Sequence, residues 1–161
     1  MNNKKDTICA IATASGTAAL SIIRMSGDRS HEIATSVFSR KGKKLKIKDI
    51  IHNRMYYGEF IDNDGKTLDD VMITFFRAPY SYTGEASVEI ACHGSVFIQN
   101  KIMEVLISNG ARLAAPGEYT MRAFINNKMD LTQAEAVADL ISSQNEAEHR
   151  IAINQLKGGF S

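Results

Sequence analysis

The stretch SVEIACHGSVFIQNKIMEVLISNG, residues 87–110, changes its hydrophobic period from two to about 3.6 within a few residues. Over 87–93, Val88, Ile90 and Cys92 alternate with Glu89, Ala91 and His93. That is the pattern of a strand with one face in a core and the other presenting two ionisable groups. From Ser95, a capping residue type, Ile98, Ile102, Val105 and Leu106 recur at helical spacing, and Gly110 supplies a left-handed terminator. A strand that feeds directly into an amphipathic helix predicts a helix packed on a sheet.

Working outward, residues 54–61 and 71–76 flank Asp62-Asn63-Asp64-Gly65, whose residue types tolerate the positive φ of a hairpin turn. Residues 7–13 and 20–25 are short, apolar and β-branched, with Ser15-Gly16-Thr17 between them, which predicts two more strands. Ile33, Ala34, Val37 and Phe38 fall at helical spacing after Asp28 and Ser30, predicting a short helix over 28–39. Residues 40–48 (RKGKKLKIK) carry six cations in nine positions and read as an exposed connection. After Pro116-Gly117 a short helical turn runs to Phe124. Asp130, with Gln133 three positions on, then opens a long helix whose stripe of Ala134, Val137, Ala138, Ile141, Ile151 and Leu156 reaches residue 156. The strands and helices do not alternate as βαβ units would, so the expected class is α+β. The closing Gly158-Gly159-Phe160-Ser161 suggests a piece of a longer protein.

The chain has 161 residues, 19 Lys+Arg against 18 Asp+Glu, 44% hydrophobic residues, 11 Gly and 2 Pro. This excludes collagenous, low-complexity and generally basic nucleic-acid-binding chains, so any nucleic-acid contact is local. No apolar run approaches a membrane span, and MNNKKD at the start lacks the apolar region of a secretory signal, so a cytoplasmic protein is expected. Cys9 and Cys92 lie far apart without metal spacing and read as reduced, buried thiols. No phosphate-binding G-x-x-x-x-G-K-[ST], dinucleotide fingerprint, zincin or nucleophile-elbow motif occurs. Three segments dense in Gly, Pro and charge remain as places for binding residues: 78–84 (APYSYTG), 89–94 (EIACHG) and 110–130.

Those segments carry a resemblance. Asp6-Thr7-Ile8, Ile22-Ile23-Arg24-Met25-Ser26-Gly27, Ala78–Glu85, Val88-Glu89-Ile90 with Cys92-His93-Gly94, Gly110–Ala114, Pro116-Gly117-Glu118, Arg122-Ala123-Phe124 and Lys128–Ile141 together resemble the N-terminal part of the MnmE (TrmE) family of tRNA-modification GTPases. The resemblance runs in order over nearly the whole chain. It implies a folate-binding and dimerisation domain over 1–119, similar to the tetrahydrofolate domains of aminomethyltransferases, then the first helices of a helical domain over 120–161. It further implies a homodimer formed through the N-terminal domain and a flavoprotein partner, MnmG. The pair would add an aminomethyl-type group at C5 of the wobble uridine of tRNA, drawing the carbon from 5,10-methylene-tetrahydrofolate. GTP, magnesium and potassium would belong to a GTPase domain for which this chain has no P-loop, so the chain alone is expected to be inactive as a hydrolase and to hold no catalytic residue.

Matched to the family's folate contacts are Arg24, Glu89 and Lys128. A carboxylate suits the paired N–H donors of a pterin edge, and a guanidinium or ammonium suits the anionic glutamate tail; 5-formyl-tetrahydrofolate offers both. By spacing alone Arg24 reads as a surface ion-pair residue, Glu89 as a solvated carboxylate, and Lys128 carries no signal. His93, in the same strand as Glu89, either lines that pocket or is a structural histidine. Tyr80 and Tyr82 suit stacking on a flat ring or a dimer contact. Residues 14–19 (ASGTAA) depart from the family's Pro-containing, Gly-rich turn, which leaves the loop beside Arg24 with its own shape. Two other readings stand beside this one: a free-standing aminomethyltransferase-like enzyme using Glu89 and His93, and an RNA-binding module using the basic run 40–48.

Overall fold

The computed structural model describes residues 6–158. Two compact units divide the chain: one comprises residues up to Ser81 together with Glu85–Ala114, the other Tyr82–Gly84 with the segment from Ala115 onward. The sequence-based division at 119/120 falls inside a helix of the second unit.

The first unit is an eight-stranded sheet with two helices. In chain order these are β1 (Ile8–Ile11), β2 (Ala18–Ser26), α1 (Ser30–Ser36), β3 (Phe38–Arg40), β4 (Lys43–Lys44), a 3-10 turn (Ile47–Asp49), β5 (Met55–Ile61), β6 (Thr67–Phe76), β7 (Ser87–Gly94), α2 (Val96–Ser108) and β8 (Arg112–Leu113). The strand order is β4-β3-β5-β6-β7-β2-β1-β8, antiparallel at every pairing except β1·β8. Both helices are crossovers. α1 joins β2 to β3, which run parallel with three strands between them, and α2 joins β7 to β8 across β2 and β1. The mixture is therefore an antiparallel ladder tied together by long helical connections, which linear order along the chain does not reveal.

The alternation in residues 87–93 places the core. Ile23, Ile90 and Ile73 are in register across β2, β7 and β6, as are Met25, Val88 and Phe75. All six are buried, in one cluster with Ile33 and Ala34 of α1 and Ile102, Val105 and Leu106 of α2. The two helices thus cover one face of the sheet. Ser95 caps α2 by accepting from the Ile98 N–H, and Gly110 takes φ +115°, as the sequence predicts. The helix predicted over 28–39 ends at Ser36, and Phe38 opens β3 instead. Burial is satisfied either way, because Phe38 is 1% exposed in the strand. The basic run is likewise not a plain connection but the edge hairpin β3–β4 and the 3-10 turn.

The second unit holds α3 (Glu118–Ile125), α4 (Leu131–Ser142) and α5 (Glu146–Leu156). Asp130 and Gln133 form a complete capping box at the start of α4. The single long helix to residue 156 is corrected to a helical hairpin. Ser142 and Ser143 turn their hydroxyls onto the Asp139 and Leu140 carbonyls, and the Asn145 side chain accepts from the Glu148 N–H, so local side-chain bonds replace the helical ladder. Ala136 and Ala152 are buried in this hairpin, and the Gln133 side chain donates to the Leu156 carbonyl.

Candidate functional site

Arg24 and Glu89 are direct cross-strand partners, flanked by Ala10 on β1 and Thr74 on β6. They are one residue out of phase with Ile23 and Ile90, so they lie on the face of the sheet away from α1 and α2. The guanidinium Nη2 donates to Glu89 Oε1 at 3.5 Å, and the two side chains are 30% and 37% exposed. Glu89 Oε2 accepts no hydrogen bond among the described residues.

Two residues along, the same face stays polar but is buried. Ser26 and Ser87 are partners in register. Ser26 donates to Glu85 Oε1 at 2.8 Å, Ser87 donates to the Glu85 carbonyl at 3.0 Å, and Ser81 donates to that carbonyl at 2.6 Å. The β6–β7 connection is thereby held against the end of β2. Two residues in the other direction the face turns apolar, with Ile22, Ala91, Met72 and Tyr57 in one register row. Leu20, Met55 and Tyr57 on this side are all more than half exposed.

The other predicted positions are distributed as follows. His93 lies four residues along β7 from Glu89, a separation of about 13 Å. Its Nδ1 is 2.8 Å from Asp69 Oδ1 and its backbone N–H donates to Asp69 Oδ2, so this histidine is engaged by β6. Tyr80 is exposed, with the Arg77 guanidinium 5.6 Å from its ring centre. Tyr82 and Lys128 belong to the second unit. There the Tyr82 hydroxyl is 2.9 Å from Thr120 Oγ1, and the Lys128 N–H donates to the Ala123 carbonyl. Gly84, at φ +80°, makes room for this turn: a Cβ there would stand 2.9 Å from Asn126 Cβ and 3.2 Å from Lys128 Cγ.

Reading the sequence did not single out Ser26, Ser87 or Glu85 as site residues, although each sits one place from a core strand position or at the end of the Ala78–Glu85 segment. It also left unread the ion pair of Glu118 and Arg122, whose signal is their spacing of four along a helix. Among the described residues no group of His, Cys, Asp or Glu is arranged to hold a metal ion, and no helix is long and apolar enough to cross a membrane. Cys9 and Cys92 are free and buried, and burial pushes both thiols up to about 11.

A carboxylate that keeps one oxygen open, beside a guanidinium on a half-exposed sheet face, defines a module built to present polar chemistry from a rigid frame. The sequence profile of the family described as GTP-binding protein TrmE N-terminus matches residues 7–128. The chain is 51% identical over 160 residues to the tRNA modification GTPase MnmE of Flavobacterium johnsoniae, covering 98% of this chain and 33% of that protein. It is 50% identical over 157 residues to the MnmE of Parabacteroides distasonis, covering 96% of this chain and 34% of that one. The chain belongs to the TrmE N-terminal family, and it spans about a third of the length of the curated relatives it matches.

Proposed function

We propose that this chain is the folate-binding, dimer-forming N-terminal module of a tRNA-modification GTPase. The observation that carries the reading is the Arg24–Glu89 pair. Its open carboxylate oxygen and neighbouring guanidinium suit the pterin edge and the anionic tail of a 5-formyl- or 5,10-methylene-tetrahydrofolate. When bound, the folate would supply the one-carbon unit. The chain's own residues would do the holding, with Glu89 accepting the paired pterin N–H groups and Arg24 and Lys128 meeting negative charge. In the whole protein, GTP with magnesium and potassium would act in a separate domain. With the MnmG flavoprotein, the assembly would install an aminomethyl-type group at C5 of the wobble uridine of tRNA in the cytoplasm, a setting that suits free, buried cysteines.

Dimerisation through the sheet unit is supported by Leu20 on β2 and Met55 and Tyr57 on β5, large apolar side chains exposed on the same face of the sheet as the polar pair. The test is a calorimetric titration of the chain with 5-formyl-tetrahydrofolate. Saturable binding is expected in the wild type, weakened at least tenfold by Arg24→Ala and by Glu89→Gln. Unchanged affinity in Glu89→Gln would remove the role given to the carboxylate, and absence of binding to the folded chain would overturn the folate reading.

A further inference from the structure

Between Arg40 and Arg54 the chain places seven Lys and Arg against one acidic residue, Asp49. Twelve cations and seventeen carboxylates are left for everything else, so a nearly neutral protein is split into one strongly basic segment and an acidic remainder. The seven cations are all exposed, and none of them joins an ion pair among the described residues. Chain neighbours alone do not explain this, because the fold adds a further cost: Arg40 is the direct cross-strand partner of Lys43 at the rim of the sheet, and like charges so placed destabilise a hairpin. At the tip, Lys41 and Gly42 both take positive φ, 49° and 79°, so a lysine stands at a turn position that favours Asn or Gly.

Two of the guanidiniums are also held in place. The Tyr56 ring is 7% exposed and its hydroxyl accepts the Ile51 N–H at 2.8 Å, which fixes it. Arg40 lies 5.2 Å and Arg54 5.9 Å from the centre of that ring, so the two guanidinium carbons are within about 11 Å of each other. Planar donor groups fixed before binding lose less freedom on binding and match phosphate oxygens two at a time.

We propose that this edge, centred on Arg40, Lys43, Lys44 and Arg54, docks the phosphate backbone of RNA. The inference rests on the reading of the chain as part of a tRNA-modifying protein, and it names where the RNA lies on this module. Two guanidiniums anchored on a buried ring suit discrete phosphates better than a fluid anionic surface. The contact supplies position and charge neutralisation rather than sequence readout, since no aromatic ring is exposed within residues 40–54 for a base to stack on.

The experiment is fluorescence anisotropy of the chain with a labelled, unmodified tRNA transcript at 50 and 200 mM salt, in parallel with sedimentation on vesicles containing phosphatidylserine. The wild type is expected to bind tRNA with strongly salt-dependent affinity. The triple variant Arg40→Gln, Lys43→Gln, Lys44→Gln should bind at least tenfold more weakly, with a log–log salt slope shallower by roughly two to three. Lys101→Gln on α2 should bind as the wild type does, and a thermal midpoint no lower than that of the wild type shows that the triple variant is folded. Equal affinity and slope in the triple variant would overturn the proposal, as would binding to vesicles with none to tRNA. Folate titration on the same samples separates the two readings: a chain that binds folate but not tRNA loses only the RNA edge, and one that binds tRNA through the edge but not folate loses only the folate assignment.

Discussion

Two guanidinium–carboxylate pairs of similar geometry sit in different surroundings. Arg122 Nη2 and Glu118 Oε2 are 3.2 Å apart on α3, with side chains 7% and 8% exposed. Arg24 and Glu89 are 3.5 Å apart on the sheet with about a third of each side chain in water. Glu118 is further committed, since its Oε1 accepts the Ala115 N–H at 2.9 Å in the first turn of the helix. The difference shows how burial decides what a pair can do. Dry, a pair whose carboxylate is fully engaged is a structural fixture; half wet, a pair with an open oxygen can exchange its partner for a ligand.

The largest effect is expected where one member of the dry pair is removed. Arg122→Ala removes the guanidinium 3.2 Å from the buried Glu118 carboxylate and should destabilise the chain by roughly 3 kcal/mol. Replacing both with apolar residues of similar size, Glu118→Leu with Arg122→Met, should cost much less, because the two desolvated charges leave together. Urea denaturation of the two variants checks this. Equal losses would mean that packing, not charge, carries the pair.

Burial also decided what was legible in the sequence. The period-two pattern of Val88, Ile90 and Cys92 could be read because every second position must leave water, and the Asp130–Gln133 capping box because its bonds are local. Phe38 could not be assigned by the same logic: helix and strand both bury it, and the pairing with Phe60 that makes it a strand residue is distant in sequence. The break at Ser142–Asn145 was visible as polar composition but not as a stop, since Pro and Gly are absent and short side-chain bonds do the work. At the site, Arg24 and Glu89 are brought together by register, which alternation alone does not set. The folate role given to Lys128 rests wholly on resemblance, as nothing in its spacing points to a ligand.

A titrating group on the border between dry and wet sharpens the comparison. His31 on α1 donates from Nε2 to the Phe76 and Ser87 carbonyls at 3.0 and 3.2 Å, and its ring centre is 5.6 Å from that of His52. Burial is the main cause that lowers its pKa below 6.5; the two carbonyl bonds oppose this and His52 adds to it. The folded chain therefore holds this proton less well than the unfolded chain. The stability that the neutral ring contributes is complete above pH 6.5 and is lost as pH falls below it. Denaturation midpoints at pH 7.5 and 5.5 should show the wild type weaker at the lower value, with a smaller difference in His31→Gln. An identical pH dependence in the variant would assign the effect to other groups.

The smallest effect on stability is expected at the half-wet pair, and it separates that pair from the dry one. An ion pair with this much solvent contributes at most about 1 kcal/mol, so Arg24→Ala and Glu89→Gln should leave the urea midpoint nearly unchanged. The core directly behind them is independent of the charge, because Ile23 and Ile90 face the helices and are fully buried. A large loss of stability in either variant would place the pair with Glu118 and Arg122 as a structural fixture, and any loss of folate binding would then follow from unfolding. A preserved fold with lost binding would instead show that the polar stretch of this face at Arg24 and Glu89 is kept for a ligand, with the packing energy of the two strands supplied from the other face.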